Sequence, residues 1–64
     1  MNESVDALHA RLIDHCEEMM ERVKMLRDYG TTPGSAWLAR SELTRLNQLT
    51  GEAEQLLSAI KQAD

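Results

Sequence analysis

In the first half of the chain the apolar residues fall at Val5, Leu8, Leu12, Cys16, Met19, Val23 and Leu26, with Ile13 and Met20 widening the row on one side. The steps are of three and four residues, and at about 100° per residue the row occupies an arc of roughly 140°. That periodicity predicts one amphipathic helix over about residues 3–29. Glu3 and Asp6 stand in its first turn, where the helix dipole favours acids, and Asn2 or Ser4 is the candidate cap. Arg27 stands in its last turn, where a cation is favoured.

In the second half Ala39, Leu43, Leu46, Thr50, Ala53, Leu57 and Ile60 alternate steps of four and three, flanked by Leu49 and Leu56. This is a heptad seam, and it predicts a helix over about residues 33–62. Gly51 lies on the opposite side and costs about 1 kcal/mol relative to alanine, but the seam runs through it without a break. No β-branched alternation or Asn-Gly hairpin signal competes with an all-helical reading.

Between the two patterns lies DYGTTPGSAWLAR, which holds the only proline, two of the three glycines and the only tyrosine and tryptophan. Gly30 suits the left-handed position that ends many helices. Thr32 is a good cap for the next helix, with Pro33 at its first helical position and Ser35 as the alternative cap. A turn over about residues 30–34 between long helices forces them antiparallel.

The fold class expected is therefore all-α, a single hairpin domain over residues 1–64. Two helices alone cannot cover stripes this wide, so each needs a further partner. A twofold homodimer forming a four-helix bundle is the commonest solution, and a heteromeric partner supplying the missing helices is the alternative. The core and dimer positions expected are Leu12, Cys16, Met19, Val23 and Leu26 on the first helix, and Leu43, Leu46, Leu49, Leu56, Leu57 and Ile60 on the second.

Size sharpens that need. A 64-residue chain buries only roughly 60% of the surface it exposes when unfolded, and one cysteine permits no internal disulfide. The lone Cys16 fits a reducing, intracellular setting as a small buried apolar residue. The start of the chain has acids where a signal peptide needs a basic start, and nowhere are there 18 consecutive apolar residues, so a soluble cytoplasmic protein is expected. A net charge of −4 argues against broad binding to nucleic acid or anionic membrane.

Catalytic chemistry finds little support. His9 and Cys16 share a helix face but stand about 10 Å apart along the axis, and His15 points elsewhere, so no metal site is expected. No serine or cysteine has a recognisable base and orienting group beside it. The run GTTPGS lacks the Lys-Ser/Thr ending and preceding strand of a phosphate-binding loop. The chain is expected to be no enzyme and to need no cofactor.

The turn end offers the better candidate. Arg22, Lys24, Arg27, Arg40 and Arg45 gather there, whereas Glu3, Asp6, Glu52, Glu54 and Asp64 mark the other end, which predicts an electrically bipolar molecule. Met25 and Tyr29 are displaced from the first apolar row, and Trp37 points almost opposite the second seam. Tryptophan, tyrosine and arginine dominate protein-binding hot spots, and methionine adapts to irregular partners. Arg22, Met25, Tyr29, Trp37 and Arg40 are accordingly the candidate partner-binding residues. The plainer alternative has Trp37 folding back as a cap over the turn and Tyr29 lying flat on the surface. A further uncharged stripe, Trp37, Thr44, Gly51 and Ser58, reads either as a second seam or as a solvated polar face.

The helix, turn, helix plan with Tyr29, Trp37 and Arg40 beside the turn resembles small phage-encoded hairpin proteins that disable host regulators, the quorum-sensing anti-activator type among them. That resemblance implies a protein partner, such as a LuxR-type transcription activator in a bacterial host, and inhibition of it. The Gly30 turn, Trp37 and the run EAEQLLSAI also look like the small helical partner in type III needle-subunit chaperone pairs, which implies a heterodimer. Length and plan are similar to the plasmid regulator Rop, an RNA-binding dimeric four-helix bundle. Glu17, Glu18 and Glu21, read as crowding the outer face of the first helix, count against RNA.

Overall fold

A computed structural model describes residues 4–63 and shows two helices, α1 over Val5–Thr31 and α2 over Ala36–Ala63. They lie antiparallel as a hairpin that is all-helical among the described residues, in a body measuring 48 × 15 × 14 Å. Ser4 caps α1: its Oγ accepts from the Ala7 backbone N–H at 3.1 Å, with Asp6 in the first turn. The other expected cap, Asn2, lies outside the described residues.

The turn differs from the expected one by a shift along the chain. α1 runs through Gly30 to Thr31, so Gly30 is helical, and Thr32 is extended (φ −94°, ψ 123°) and ends α1 where it was expected to start α2. The positive backbone angle falls on Gly34 at φ 82°, and the Ser35 N–H donates to the Thr32 carbonyl at 3.0 Å. Pro33 and Gly34 thus occupy the central positions of a type II β-turn, whose second central residue needs a positive φ. Pro33 therefore builds the turn itself, and Ser35 precedes α2, its carbonyl accepting from Leu38 N–H at 2.9 Å. At the C-terminal end of α1 the Thr31 and Thr32 hydroxyls donate to Arg27 O (2.7 Å) and Asp28 O (2.6 Å), the latter one of the four carbonyls left open by the helix end.

The buried core is small: Leu8 from α1, and Leu49, Ala53 and Leu56 from α2. Leu49 is its centre at 1% exposure. Half-covered around these are Val5, Leu12, His15, Glu18, Met19, Arg22, Met25, Leu26 and Tyr29 on α1 and Leu38, Ala39, Glu42, Arg45, Leu46, Ala59 and Ile60 on α2. On α1 the face toward its partner is therefore the row 5, 8, 12, 15, 19, 22, 26, 29, which includes His15 and Arg22.

That face is rotated from the expected stripe. Leu49 and Leu56, expected as flanks, are central, whereas Leu43, Thr50 and Leu57 of the expected seam are exposed. On α1, Cys16 and Val23 are exposed together with Ile13 and Met20. Of the expected core and dimer positions, Leu49 and Leu56 are buried within the hairpin, and Leu12, Met19, Leu26, Leu46 and Ile60 are half-covered. Cys16, Val23, Leu43 and Leu57 are open. The reason is that polar side chains hold part of the seam, pushing the centre of the interhelical contact away from the centre of the apolar arc.

Candidate functional site

The hairpin has two unlike flanks. On one, polar pairs bridge the helices. His15 Nε2 lies 3.0 Å from Glu52 Oε2, and its Nδ1 lies 2.9 Å from the Arg11 carbonyl. Arg45 donates through Nε (2.9 Å) and Nη2 (3.1 Å) to the two oxygens of Glu18, a two-pronged pair that draws the Glu18 carboxyl below the usual range and raises the Arg45 guanidinium. Nearest the turn, Arg22 Nη1 donates to Glu42 Oε2 at 2.7 Å. An open groove of about 750 Å³ runs along this flank, floored by Leu8, Leu49 and Leu56 and edged by Arg11, Gln55 and Gln62.

The other flank is apolar. Thr50 Oγ1 lies 3.9 Å from Met19 Sδ, which places Thr50 on the side of the seam away from the ion pairs. Helical phase then puts Leu43 and Leu57, one heptad to either side of Thr50, on that flank of α2. It puts Cys16, Val23, Ile13 and Met20 on the same flank of α1, where Met20 is 65% exposed.

The five candidate partner-binding residues divide. Trp37 is 74% exposed, so it does not fold back as a cap, and Arg40 is exposed. Lys24 and Arg40 make no ion pair among the described residues. Arg22, Met25 and Tyr29 are instead half-covered against α2, and Arg22 is held by Glu42, so the displacement read from phase is corrected. Once the seam is centred on its true row, Met25 and Tyr29 fall beside it.

The expected charge separation is also weaker than the basic residues suggested. Arg22 pairs with Glu42, Arg27 with Asp28 at 3.2 Å and Arg45 with Glu18, so three of the five turn-end cations have an acid at hand. Glu18 is correspondingly part of the interhelical flank and not of the outer face with Glu17 and Glu21. The stripe Trp37, Thr44, Gly51 and Ser58 is exposed, with the Thr44 hydroxyl turned back to Arg40 O at 3.0 Å.

Among the described residues, no group of three His, Cys, Asp or Glu side chains is placed to hold a metal ion, and no helix is long and apolar enough to cross a membrane. Comparison with protein-family models, curated proteins and solved structures finds no match. Two surfaces stand out: at the turn end the exposed Trp37 lies one helical turn from Arg40, a cation with no ion pair among the described residues, and one flank of the hairpin is apolar.

Proposed function

We propose that this chain is a non-enzymatic protein-interaction module. Its hairpin pairs with a second copy into a four-helix bundle and uses the turn end to bind another protein, inhibiting or redirecting it. The observation that carries this reading is Trp37, which exposes 74% of its surface next to Arg40 at the turn. A large aromatic ring mostly left in water contributes little to the hairpin, whereas tryptophan and arginine are enriched among the side chains that supply most binding energy at protein interfaces. Met25 and Tyr29, half-covered near the turn, and Arg22, held by Glu42, are assigned to the same site. The partner class suggested by the resemblance is a transcription regulator of the LuxR type in a bacterial cytoplasm.

The test is capture of the partner from a bacterial lysate on the immobilised chain. Trp37→Ala and Arg40→Ala should lose a protein that the parent chain retains, with helical circular dichroism unchanged. Retention of that protein by both variants would place the binding site elsewhere.

A further inference from the structure

The apolar flank carries more than a general expectation of self-association, because the order of its residues reads almost the same in both directions. On α1 the exposed apolar positions are 13, 16, 20 and 23, with steps of three, four and three. On the same flank of α2 the large apolar positions are 43 and 57, at equal distances from the exposed Thr50. Each row is thus its own complement when reversed.

Surface area supports one further layer of helices. A folded monomer of 7.2 kDa exposes about 4,100 Å² by the usual scaling, whereas this chain exposes 4904 Å². The excess, about 800 Å², is what one partner contributes to a stable interface of standard size.

We infer that the occupant of this flank is a second copy of the chain in antiparallel orientation, related by a twofold axis that crosses α2 at Thr50. The inference rests on the dimer proposed above and adds its face and direction. α1 then packs on its own copy with Ile13 opposite Val23 and Cys16 opposite Met20, and α2 packs on its copy with Leu43 opposite Leu57. Charge selects this direction over the parallel one. A parallel dimer gathers Lys24 and Arg40 of both copies, the turn-end cations with no ion pair among the described residues, at one end. The antiparallel dimer separates the two sets to opposite ends, each near the end of the other copy that carries Asp6 and Glu54 together with Arg11 and Lys61. The two Trp37 sites consequently stand at opposite ends of the bundle, so one dimer presents two separate partner sites.

Single-cysteine cross-linking tests the arrangement with the purified full chain. In a Cys16→Ser background, Thr50→Cys should form a disulfide-linked dimer readily under mild oxidation. Leu57→Cys alone should not, because its copy lies about 21 Å away along the bundle, fourteen residues at the helical rise. Mixing Leu57→Cys with Leu43→Cys chains should restore the link. Because these positions are exposed in the hairpin, folding is checked by circular dichroism alone. Light scattering that shows a monomer at tens of micromolar overturns the inference, as does a dimer in which Thr50→Cys fails to link or Leu57→Cys links equally well. A failed link with Trp37-dependent capture intact would sink the dimer geometry and leave the turn-end site standing.

Discussion

Arg22 and Glu42 face each other across the hairpin at 2.7 Å, with only 28% and 13% of their side chains exposed. They occupy seam positions that an all-apolar hairpin would fill with leucine. The pair is satisfied at one nitrogen, but Arg22 Nε is buried with no hydrogen-bond partner. Removing the acid alone therefore strands a largely covered guanidinium. Glu42→Ala should destabilise the chain by about 1–3 kcal/mol. Replacing both partners together, Arg22→Met with Glu42→Leu, should be near neutral or stabilising, since the desolvation cost disappears with the pair. Urea melts at one fixed protein concentration check both; a double variant worse than Glu42→Ala would show that the pair contributes net stability.

The glycines make opposite predictions. Gly34 sits at φ 82°, where a side chain is strained whatever the space around it, so Gly34→Ala should cost about 1 kcal/mol or more and loosen the turn. Gly30 and Gly51 are inside helices and a methyl group at either meets nothing within 4 Å. Gly30→Ala and Gly51→Ala should each stabilise by about 0.5–1 kcal/mol, read as a rise in melting temperature. The comparison separates the observed type II turn from one in which Gly30 terminates the first helix, because the latter would make Gly30→Ala the costly change.

That contrast shows where the sequence was legible. Both helices, their antiparallel pairing and the neighbourhood of the turn follow from three-and-four spacing and from the Pro-Gly punctuation. The identity of the special glycine was not legible, because Gly30 and Gly34 both satisfy the chemistry of a helix end. In the structure α1 runs one residue past Gly30, to Thr31, with the Thr31 and Thr32 hydroxyls turned back onto Arg27 O and Asp28 O. The rotation of the seam was hidden for a different reason. His15, Arg22, Glu42 and Arg45 take positions facing the other helix, so a count of apolar residues blends the inner seam with the exposed flank and centres between them. Tyr29 was displaced from that blended centre and looked outward; the observed row includes it. Trp37 was legible because no choice of seam brings its phase inward.

Leu49 and Leu57 should consequently behave differently on truncation, although both belong to the apolar pattern. Leu49 is 1% exposed within the hairpin, so Leu49→Ala should cost about 2–4 kcal/mol at any protein concentration. Leu57 is about half exposed in the single chain. Leu57→Ala should matter mainly through self-association, making the thermal midpoint of the variant lower and more sensitive to dilution than that of the parent. Melting curves over a hundredfold range of concentration check this. Equal shifts at every concentration would place Leu57 in the core of the hairpin instead.

Glu18 and Arg45 give the pH dependence. The hydrogen bonds from Arg45 are the main cause of the lowered Glu18 carboxyl, opposed by partial burial, with the Arg45 charge adding to the lowering. A carboxyl that ionises more readily in the folded chain than in the unfolded one binds fewer protons when folded. Its stabilising contribution is therefore complete above the ordinary glutamate value, about 4.3, and is lost as pH falls through the lower folded value. The raised Arg45 guanidinium has the opposite sign, its contribution being lost only as pH rises into the strongly alkaline range. Both side chains are about two-fifths exposed, so the effect is modest and screened by salt. The measurement is the thermal midpoint between pH 7 and pH 3 for the parent and for Glu18→Gln. The parent should lose more stability on acidification than the variant, and the difference between them should shrink in 1 M salt. Parallel acid profiles would mean that the two-pronged contact contributes nothing in solution.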